Sequence, residues 1–148
     1  MKRALVVLFS LSIVLLGSVT GASAGSAPRM WANIPFAFYA GEQLLPAGQY
    51  LFEMPDLGRN SATGSIVAVR TRDGSIFVYL HANPAGNNSG GSASQVTFAR
   101  YGDSYFLSKV QTNDIESNLP KTRSEKTTAA ALGGKETKKV ADASFKKR

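Results

Sequence analysis

Residues 44–54 read Leu44-Leu45-Pro46-Ala47-Gly48-Gln49-Tyr50-Leu51-Phe52-Glu53-Met54, and they predict a tight turn that leads into a strand. Pro46 fixes φ at about −65° in the second position of a type II turn. Gly48 can take the positive φ that the turn needs, and the sequence leaves open whether Ala47 or Gly48 holds the third position. Beyond the turn, Tyr50, Phe52 and Met54 fall on one face of an extended chain. This period of two predicts a strand with one buried face.

The start of the chain has the pattern of a secretory signal peptide. Lys2 and Arg3 precede an apolar segment over residues 4–16, and Ala22-Ser23-Ala24 matches an A-x-A cleavage site. The apolar segment is shorter than the roughly 17–25 residues of a membrane-spanning helix, which favours a signal peptide over an anchor. We expect cleavage after Ala24, a periplasmic or extracellular location, and no transmembrane segment in the mature chain.

The chain contains no cysteine, which excludes disulfides, thiolate metal sites and a lipid-modified cysteine at the cleavage site. An exported domain without disulfides must be held together by its own apolar core. The mature chain is long enough to bury such a core as one domain.

Charge is distributed unevenly along the chain. Residues 25–120 carry six basic and seven acidic side chains, a net charge of −1, whereas residues 121–148 carry nine basic and three acidic, a net charge of +6. The basic character therefore belongs to the C-terminal end. A nucleic-acid-binding domain carries its charge on a folded face, so no specific nucleic-acid partner is expected.

The sequence of residues 25–120, which we call the body of the chain, predicts about six short strands. They cover residues 31–39, 44–54, 65–71, 75–82, 96–101 and 104–111, and residues 55–64 and 83–94 read as loops. Pro35 cannot donate to a ladder and marks an edge strand or a bulge. Asp73-Gly74 between two apolar strands is a strong hairpin signal. The expected fold is mainly β: an antiparallel meander that closes as a small barrel or a sandwich.

One short helix is predicted within residues 121–134. Thr122 and Glu125 fit a capping box, in which the threonine hydroxyl accepts from the third amide and the glutamate returns to the cap. Gly133-Gly134 supplies the stop signal. Residues 135–148 are rich in lysine and poor in apolar side chains, which predicts a disordered basic tail.

Three blocks of sequence resemble a group of short secreted bacterial proteins of uncharacterised activity. These blocks are Ile-Pro-Phe-x-Phe at residues 34–38, Leu-Pro-Ala-Gly-x-Tyr at 45–50 and Phe-x-Arg-Tyr-Gly-Asp-x-Tyr-Phe-Leu at 98–107, followed by Leu-Pro-Lys-Thr at 119–122. The resemblance covers most of the body but not the basic tail. It implies a small, β-rich exported domain and carries no implication about chemistry.

His81 is the only histidine and the strongest candidate for a catalytic or metal-binding group. A metal site needs several converging ligands, and the sequence offers neither a second histidine nor a cysteine. A Ser-His-Asp arrangement need not be local in sequence, but no nucleophile-elbow pattern is present. We therefore expect His81 to be the end of a strand, with no catalytic residue, metal or cofactor assigned.

Phe77, Tyr79 and His81 form a stripe along one face of a predicted strand, opposite Ile76, Val78 and Leu80. An open aromatic row on a sheet can stack against sugar rings or a protein partner. The favoured expectation is burial on both faces, for instance beneath the C-terminal helix, because both faces are apolar. The open stripe is the alternative, and it supplies the candidate binding face.

Basic side chains at the end of the chain are candidates for an electrostatic arm; they are Lys135, Lys138, Lys139, Lys146, Lys147 and Arg148. Such an arm suits anionic envelope polymers or lipid head groups. A tail that only improves solubility is the simpler alternative.

These patterns favour a non-enzymatic binding or structural module of the bacterial envelope or the extracellular space. The alternative is a small hydrolase acting on envelope or polymeric substrates. A cluster of His81, a carboxylate and a serine in one concave pocket would favour the enzyme, whereas an open aromatic surface would favour binding. The ligand and the oligomeric state do not follow from the sequence.

Overall fold

The computed structural model describes residues 27–54, 65–87, 93–113, 115–134 and 137–144. The predicted signal peptide (residues 1–24) and the predicted loop over residues 55–64 lie outside the described residues.

Ten strands and one helix form within these ranges. In chain order they are β1 (Arg29–Ile34), β2 (Phe38–Ala40), β3 (Gln43–Leu45), β4 (Gly48–Glu53), β5 (Ser65–Thr71), β6 (Phe77–Asn87), β7 (Gln95–Tyr101), β8 (Ser104–Gln111), β9 (Ile115–Asn118), α1 (Arg123–Ala131) and β10 (Thr137–Ser144).

The strands form one mixed sheet in the order β3-β2-β8-β7-β10-β1-β4-β5-β6-β9. Strands β2 and β8 run parallel where Tyr39 is opposite Phe106. Strand β9 pairs with both β6 and β8, so Asn118 is opposite Asn83 on one side and Lys109 on the other. The prediction of a mainly β fold with one short helix is confirmed. The predicted antiparallel meander of about six strands is not confirmed, because β2 and β8 are parallel, two predicted strands divide, and β9 and β10 lie where no strand was predicted.

Two of the predicted strands divide at a proline. Residues 31–39 separate into β1 and β2 on either side of Pro35, which has no amide hydrogen to donate to a ladder. Residues 44–54 separate into β3 and β4 on either side of Pro46 and Ala47, with a bend at Ala47, but neither Ala47 nor Gly48 has the positive φ of the predicted type II turn. The short β2–β3 hairpin between these breaks pairs Phe38 with Leu45.

Strand β6 is longer than predicted and continues through Asn87 into the first part of the predicted loop. Pro84 is tolerated because the pairing with β9 shifts register between Pro84 and Gly86. A bulge is one of the few places where a sheet accepts proline.

The prediction of a disordered tail is wrong for Thr137–Ser144, which forms β10. This strand pairs antiparallel with β7 from Thr137↔Arg100 to Asp142↔Gln95, and with β1 at Trp31↔Ser144 and Ala32↔Ala143. Main-chain hydrogen bonds make a ladder whatever the side chains are, so a lysine-rich composition does not prevent a strand between two available edges.

One apolar core lies on the inner face of the sheet. Tyr50, Phe52 and Met54 are buried in it, as the alternation predicts, and Gln49 is exposed. Leu51, which the alternation assigns with Gln49 to the exposed face, is nevertheless buried, so the prediction of a half-buried strand is wrong at this position. Further core side chains come from β1, β2, β5, β6, β7 and β8, among them Met30, Ile34, Phe38, Val67, Val69, Leu80, Val96, Phe98, Leu107 and Val110.

The turn before β4 is held by a side chain rather than by a left-handed glycine. Gly48 does not adopt positive φ, so that expectation is wrong. The Tyr50 hydroxyl donates to the Pro46 carbonyl at 2.7 Å and closes the turn. A left-handed glycine occurs instead in the β2–β3 turn, where Gly41 has φ of 65°.

The Asp73-Gly74 hairpin between β5 and β6 is confirmed. Gly74 adopts φ of 74°, and its amide donates to the Thr71 carbonyl at 3.1 Å. The Asp73 carboxylate accepts from the Ser75 amide at 3.1 Å and from the Ser75 hydroxyl at 2.9 Å.

The helix begins and ends where the sequence predicts. The Thr122 hydroxyl accepts from the Glu125 amide at 3.1 Å, and Gly133 and Gly134 both take φ of 71° at the C-terminal end. The Glu125 side chain is buried and accepts from the Tyr101 hydroxyl at 3.2 Å, which ties the helix to β7. Within the described residues, no helix is long and apolar enough to cross a bilayer.

Candidate functional site

The stripe on β6 is open to solvent, so the favoured expectation of burial is wrong. Phe77 is 48% exposed and Tyr79 is 63% exposed, and His81 is exposed as well. The two rings contact each other edge to face, with their centroids 4.5 Å apart. We call Phe77, Tyr79 and His81 the aromatic face.

The pleat of β6 explains why these side chains point away from the core. Leu80 and Ala82 are buried in the core and Val78 packs against it, so the alternating residues 77, 79 and 81 project from the opposite face. The helix that was expected to cover them packs elsewhere. Its Ala129 lies against the separate cluster of Ala99, Tyr101 and Phe106.

Strand β5 places an ion pair beside the aromatic face. Arg70 is directly opposite Phe77, and its Nη2 atom donates to Glu53 Oε1 at 2.9 Å. Ala68, opposite Tyr79, is small and buried, so it does not screen the tyrosine ring. The outer surface therefore combines two exposed rings with an arginine that is paired to a carboxylate.

His81 extends the aromatic face toward a cavity of about 350 Å³. The cavity lies between β6, the β2–β3 turn and the segment that leads into the helix. It is lined by Ala40, Gly41, Glu42, Gln43, Val78, Tyr79, Leu80, His81, Leu107, Leu119, Pro120 and Thr122. Its volume is at the lower end of the roughly 300–1,000 Å³ typical of small-molecule sites. Tyr79 and His81 belong to both the aromatic face and the cavity.

Glu42 lines this cavity and also binds the helix. Its Oε1 atom accepts from the amides of Arg123 at 2.8 Å and Ser124 at 3.4 Å, and its Oε2 atom accepts from the Ser124 hydroxyl. These hydrogen bonds, above all the one from the Ser124 hydroxyl, lower the pKa of Glu42, so its carboxylate is ionised at neutral pH. A carboxylate at a helix N-terminus is also favoured by the helix dipole.

Among the residues that the structure describes, no catalytic triad assembles around His81. Glu42 contacts Ser124 directly, whereas a triad places the imidazole between the carboxylate and the hydroxyl. Among the described residues, His81 makes no side-chain hydrogen bond or ion pair. The same residues contain no group of three or more His, Cys, Asp or Glu that could hold a metal ion.

The basic residues of the predicted arm fall into two sets. Lys138 and Lys139 belong to β10, opposite Ala99 and Phe98 of β7. Lys135, Lys146, Lys147 and Arg148 lie outside the described residues. The electrostatic arm stays a prediction.

Sequence reasoning missed Glu42 and the cavity. The Gly41-Glu42 dipeptide reads as an ordinary turn, and its partner, the N-terminus of α1, lies more than 80 positions further along the chain. The capping signal at Thr122 predicts the helix but gives no sign that a distant carboxylate shares that cap.

Comparison with protein-family models, with curated proteins and with solved structures gives no match. Function is therefore inferred from the geometry of the aromatic face and the cavity.

Proposed function

We propose that the mature protein is an exported, non-enzymatic binding module that holds a neutral polysaccharide of the envelope or the extracellular space on its aromatic face. The observation that carries this proposal is the exposed pair of Phe77 and Tyr79. Four large hydrophobic side chains are exposed in the described ranges, and two of them lie in contact on this one strand. Two large exposed hydrophobic side chains in contact are typical of an interaction surface, whereas single exposed hydrophobic residues occur on most protein surfaces.

The chemistry of a pyranose ring suits this surface. Its axial C–H groups form an apolar face that packs on an aromatic ring, while its hydroxyls at the edge need hydrogen-bonding partners. Phe77 and Tyr79 supply the rings, and the tyrosine hydroxyl and His81 supply polar groups beside them. The two rings meet edge to face, so a pyranose that stacks on the face of one ring also contacts the other ring.

The charge beside the aromatic face is small. Arg70 and Arg29 share the carboxylate of Glu53, at 2.9 Å and 3.9 Å, which leaves one net positive charge. Residues 25–120 as a whole carry a net charge of −1, so this part of the chain has no strong general attraction for an anionic polymer.

The pairing of β9 with both β6 and β8 supports a small barrel over a two-layer sandwich. In such a barrel, β9 joins the β6 side of the sheet to the β8 side, and the aromatic face lies on the outer wall. The β2–β3 hairpin packs on the core through its own Phe38, Ala40 and Leu45, which are buried.

The hydrolase alternative has less support. Glu42 and His81 line one cavity, but the described residues show no hydrogen bond between them, and Glu42 is engaged with the helix cap. A sugar can stack on exposed aromatic rings without a histidine and a carboxylate that meet in one site. The geometry therefore favours binding over catalysis.

Co-sedimentation tests the proposal. The purified protein is mixed with insoluble cellulose or chitin at fixed salt, and the bound fraction is compared with that of the Phe77→Ala/Tyr79→Ala double variant. We expect the wild type to bind at least one of the two polymers and the double variant to bind about tenfold more weakly, because the stacking surface is removed.

A matched control removes two exposed apolar side chains from other places. Leu44 on β3 is 57% exposed and Leu132 at the end of the helix is 49% exposed, so Leu44→Ala/Leu132→Ala removes comparable surface. This control should bind as the wild type does. Equal binding by wild type and Phe77→Ala/Tyr79→Ala, or no binding of either polymer by the wild type, would overturn the proposal.

A further inference from the structure

The cavity beside the aromatic face carries an inference about the kind of sugar that is bound, and it rests on the proposed function. Because Tyr79 and His81 belong to both features, a polysaccharide stacked along β6 reaches the mouth of the cavity. One ring can then pack on Phe77 and Tyr79 while a substituent of the next ring enters the cavity.

The floor and walls of the cavity are apolar and fixed. Leu80 and Leu107 are buried, and Ala40 is almost fully buried. Leu119 forms part of a wall that is held in place, since its amide donates to the Ser108 carbonyl of β8 at 2.8 Å. A group that enters must therefore present an apolar end to this floor.

The rim of the cavity selects against anions. Its described lining contains no lysine or arginine, and Glu42 is ionised there. A carboxylate or phosphate group would meet a like charge without a cation to pair with. An uncharged substituent avoids this repulsion.

Two residues that line the cavity carry polar groups without a partner among the described residues. The Tyr79 hydroxyl and the His81 ring make no hydrogen bond to other described residues. A neutral imidazole has one donor and one acceptor, and a phenol can do both. An amide, which has one N–H donor and one carbonyl acceptor, matches this pair.

We propose that the cavity receives the acetamido group of an N-acetylated hexosamine within the bound polysaccharide. The methyl group packs on Leu107 and Leu119, which come from outside β6, and the amide pairs with Tyr79 and His81. The same ring bearing a hydroxyl in place of the acetamido group leaves the apolar floor without a partner. The cavity thus distinguishes amino-sugar polymers from simple glucans.

Isothermal titration calorimetry with two tetrasaccharides tests this assignment. Chitotetraose and cellotetraose share their linkage and differ in the acetamido group at carbon 2. We expect the wild type to bind chitotetraose at least about tenfold more tightly, as a site built for a polar group discriminates against ligands that lack it. Leu119→Phe, which fills the cavity, should reduce that preference to about threefold or less.

Leu44→Phe is the matched control, since it makes the same change at an exposed position outside the cavity and should keep the preference. His81→Ala is a second variant at an exposed position, and it should also reduce the preference while the melting temperature stays unchanged. If Leu119→Phe does not fold, the preference of His81→Ala for chitotetraose over cellotetraose tests the assignment instead.

The outcomes separate the two proposals. Equal affinity of the wild type for both tetrasaccharides overturns the acetamido assignment and leaves polysaccharide binding on the aromatic face standing. A full preference in folded Leu119→Phe or in His81→Ala overturns the assignment in the same way. Binding of neither tetrasaccharide by the wild type overturns the polysaccharide proposal and this assignment together.

Discussion

At the scale of single residues, two glycines with similar surroundings in sequence have different structural roles. Gly41 has φ of 65°, and a Cβ atom there would lie 2.9 Å from Leu80 Cδ2. Gly48 does not adopt positive φ, and a Cβ atom at that position would lie an ordinary 3.6 Å from the Tyr50 ring. The sequence places both in turns but does not distinguish them, because a turn can be closed by backbone conformation or by a side chain.

We expect Gly41→Ala to destabilise the protein by about 1–2 kcal/mol, because alanine is disfavoured in the left-handed region and Leu80 must move. Gly48→Ala should be neutral or slightly stabilising. Thermal unfolding of the two variants measures the difference. Exposed Gln49→Ala serves as a control within about 0.5 kcal/mol of the parent. A Gly48→Ala variant that is less stable than Gly41→Ala would contradict this assignment of the turns.

The stability of the β5–β6 hairpin is expected to depend on pH through the ionisation of Asp73. Hydrogen bonds from the Thr71 and Ser75 side chains and from the Ser75 amide lower the pKa of Asp73 from 3.8 to about 2. A lowered folded-state pKa means that the ionised carboxylate stabilises the fold above about pH 4, and that this stabilisation is lost as the pH falls toward 2.

Asp73→Ala should therefore lower the melting temperature at pH 6 by a few degrees and have progressively less effect toward pH 2. Melting temperatures of variant and parent across this range provide the measurement. Arg72→Ala changes the same turn without removing the carboxylate, and its effect should not follow this pH profile. A deficit in Asp73→Ala that stays constant down to pH 2 would show that the carboxylate's charge is not the cause.

At the scale of elements, local patterns predict the strands and the helix better than they predict what covers them. The alternation over residues 76–81 assigns Val78 and Leu80 to one face and Phe77 and Tyr79 to the other. Which of two apolar faces is buried depends on where distant elements pack. Glu125 and Ala129 attach the helix to the side of β7 and β8, and so leave β6 open.

Strand β10 is the opposite case, since a segment predicted to be disordered forms a strand. Its lysine-rich sequence resembles a disordered segment, but β7 and β1 offer edges on both of its sides. Sequence composition reports how much apolar area a segment can bury, and it does not report the backbone partners that a fold makes available.

Removal of residues 135–148 should consequently destabilise the fold, contrary to the expectation from composition. Truncation after Gly134 removes six residue pairs with β7 and two with β1, and it exposes two strand edges. We expect a fall in melting temperature of roughly 10 °C or more, with increased aggregation. Removal of residues 145–148 alone keeps β10 and is the control. Equal melting temperatures for the long truncation and the parent would show that β10 does not contribute to the fold.

At the scale of the whole molecule, the proposed function requires that the protein leave the cytoplasm. The basic, apolar and A-x-A pattern of residues 1–24 predicts this export. N-terminal sequencing of the exported protein from a bacterial host should begin at Gly25 or within a few residues of it. A full-length chain that accumulates in the cytoplasm as the main form would contradict the prediction.

The polysaccharide proposal rests on the exposed rings, the small net charge of their surroundings and the adjoining cavity. The sequence predicts the stripe on β6 as a possible binding face, but its exposure and the cavity depend on the packing of β2, β3 and the helix. The site is thus recognisable only in part before the fold is known.

The most direct test is an NMR titration of the protein with chitotetraose and cellotetraose that observes the aromatic ring protons and the sugar C–H protons together. Stacking predicts shifts at Phe77 and Tyr79 and upfield ring-current shifts of the sugar protons that lie over these rings. Both effects should disappear in Phe77→Ala/Tyr79→Ala and persist in Leu44→Ala/Leu132→Ala. If neither sugar perturbs Phe77 or Tyr79, or if the shifts map to another surface, the aromatic face does not bind polysaccharide.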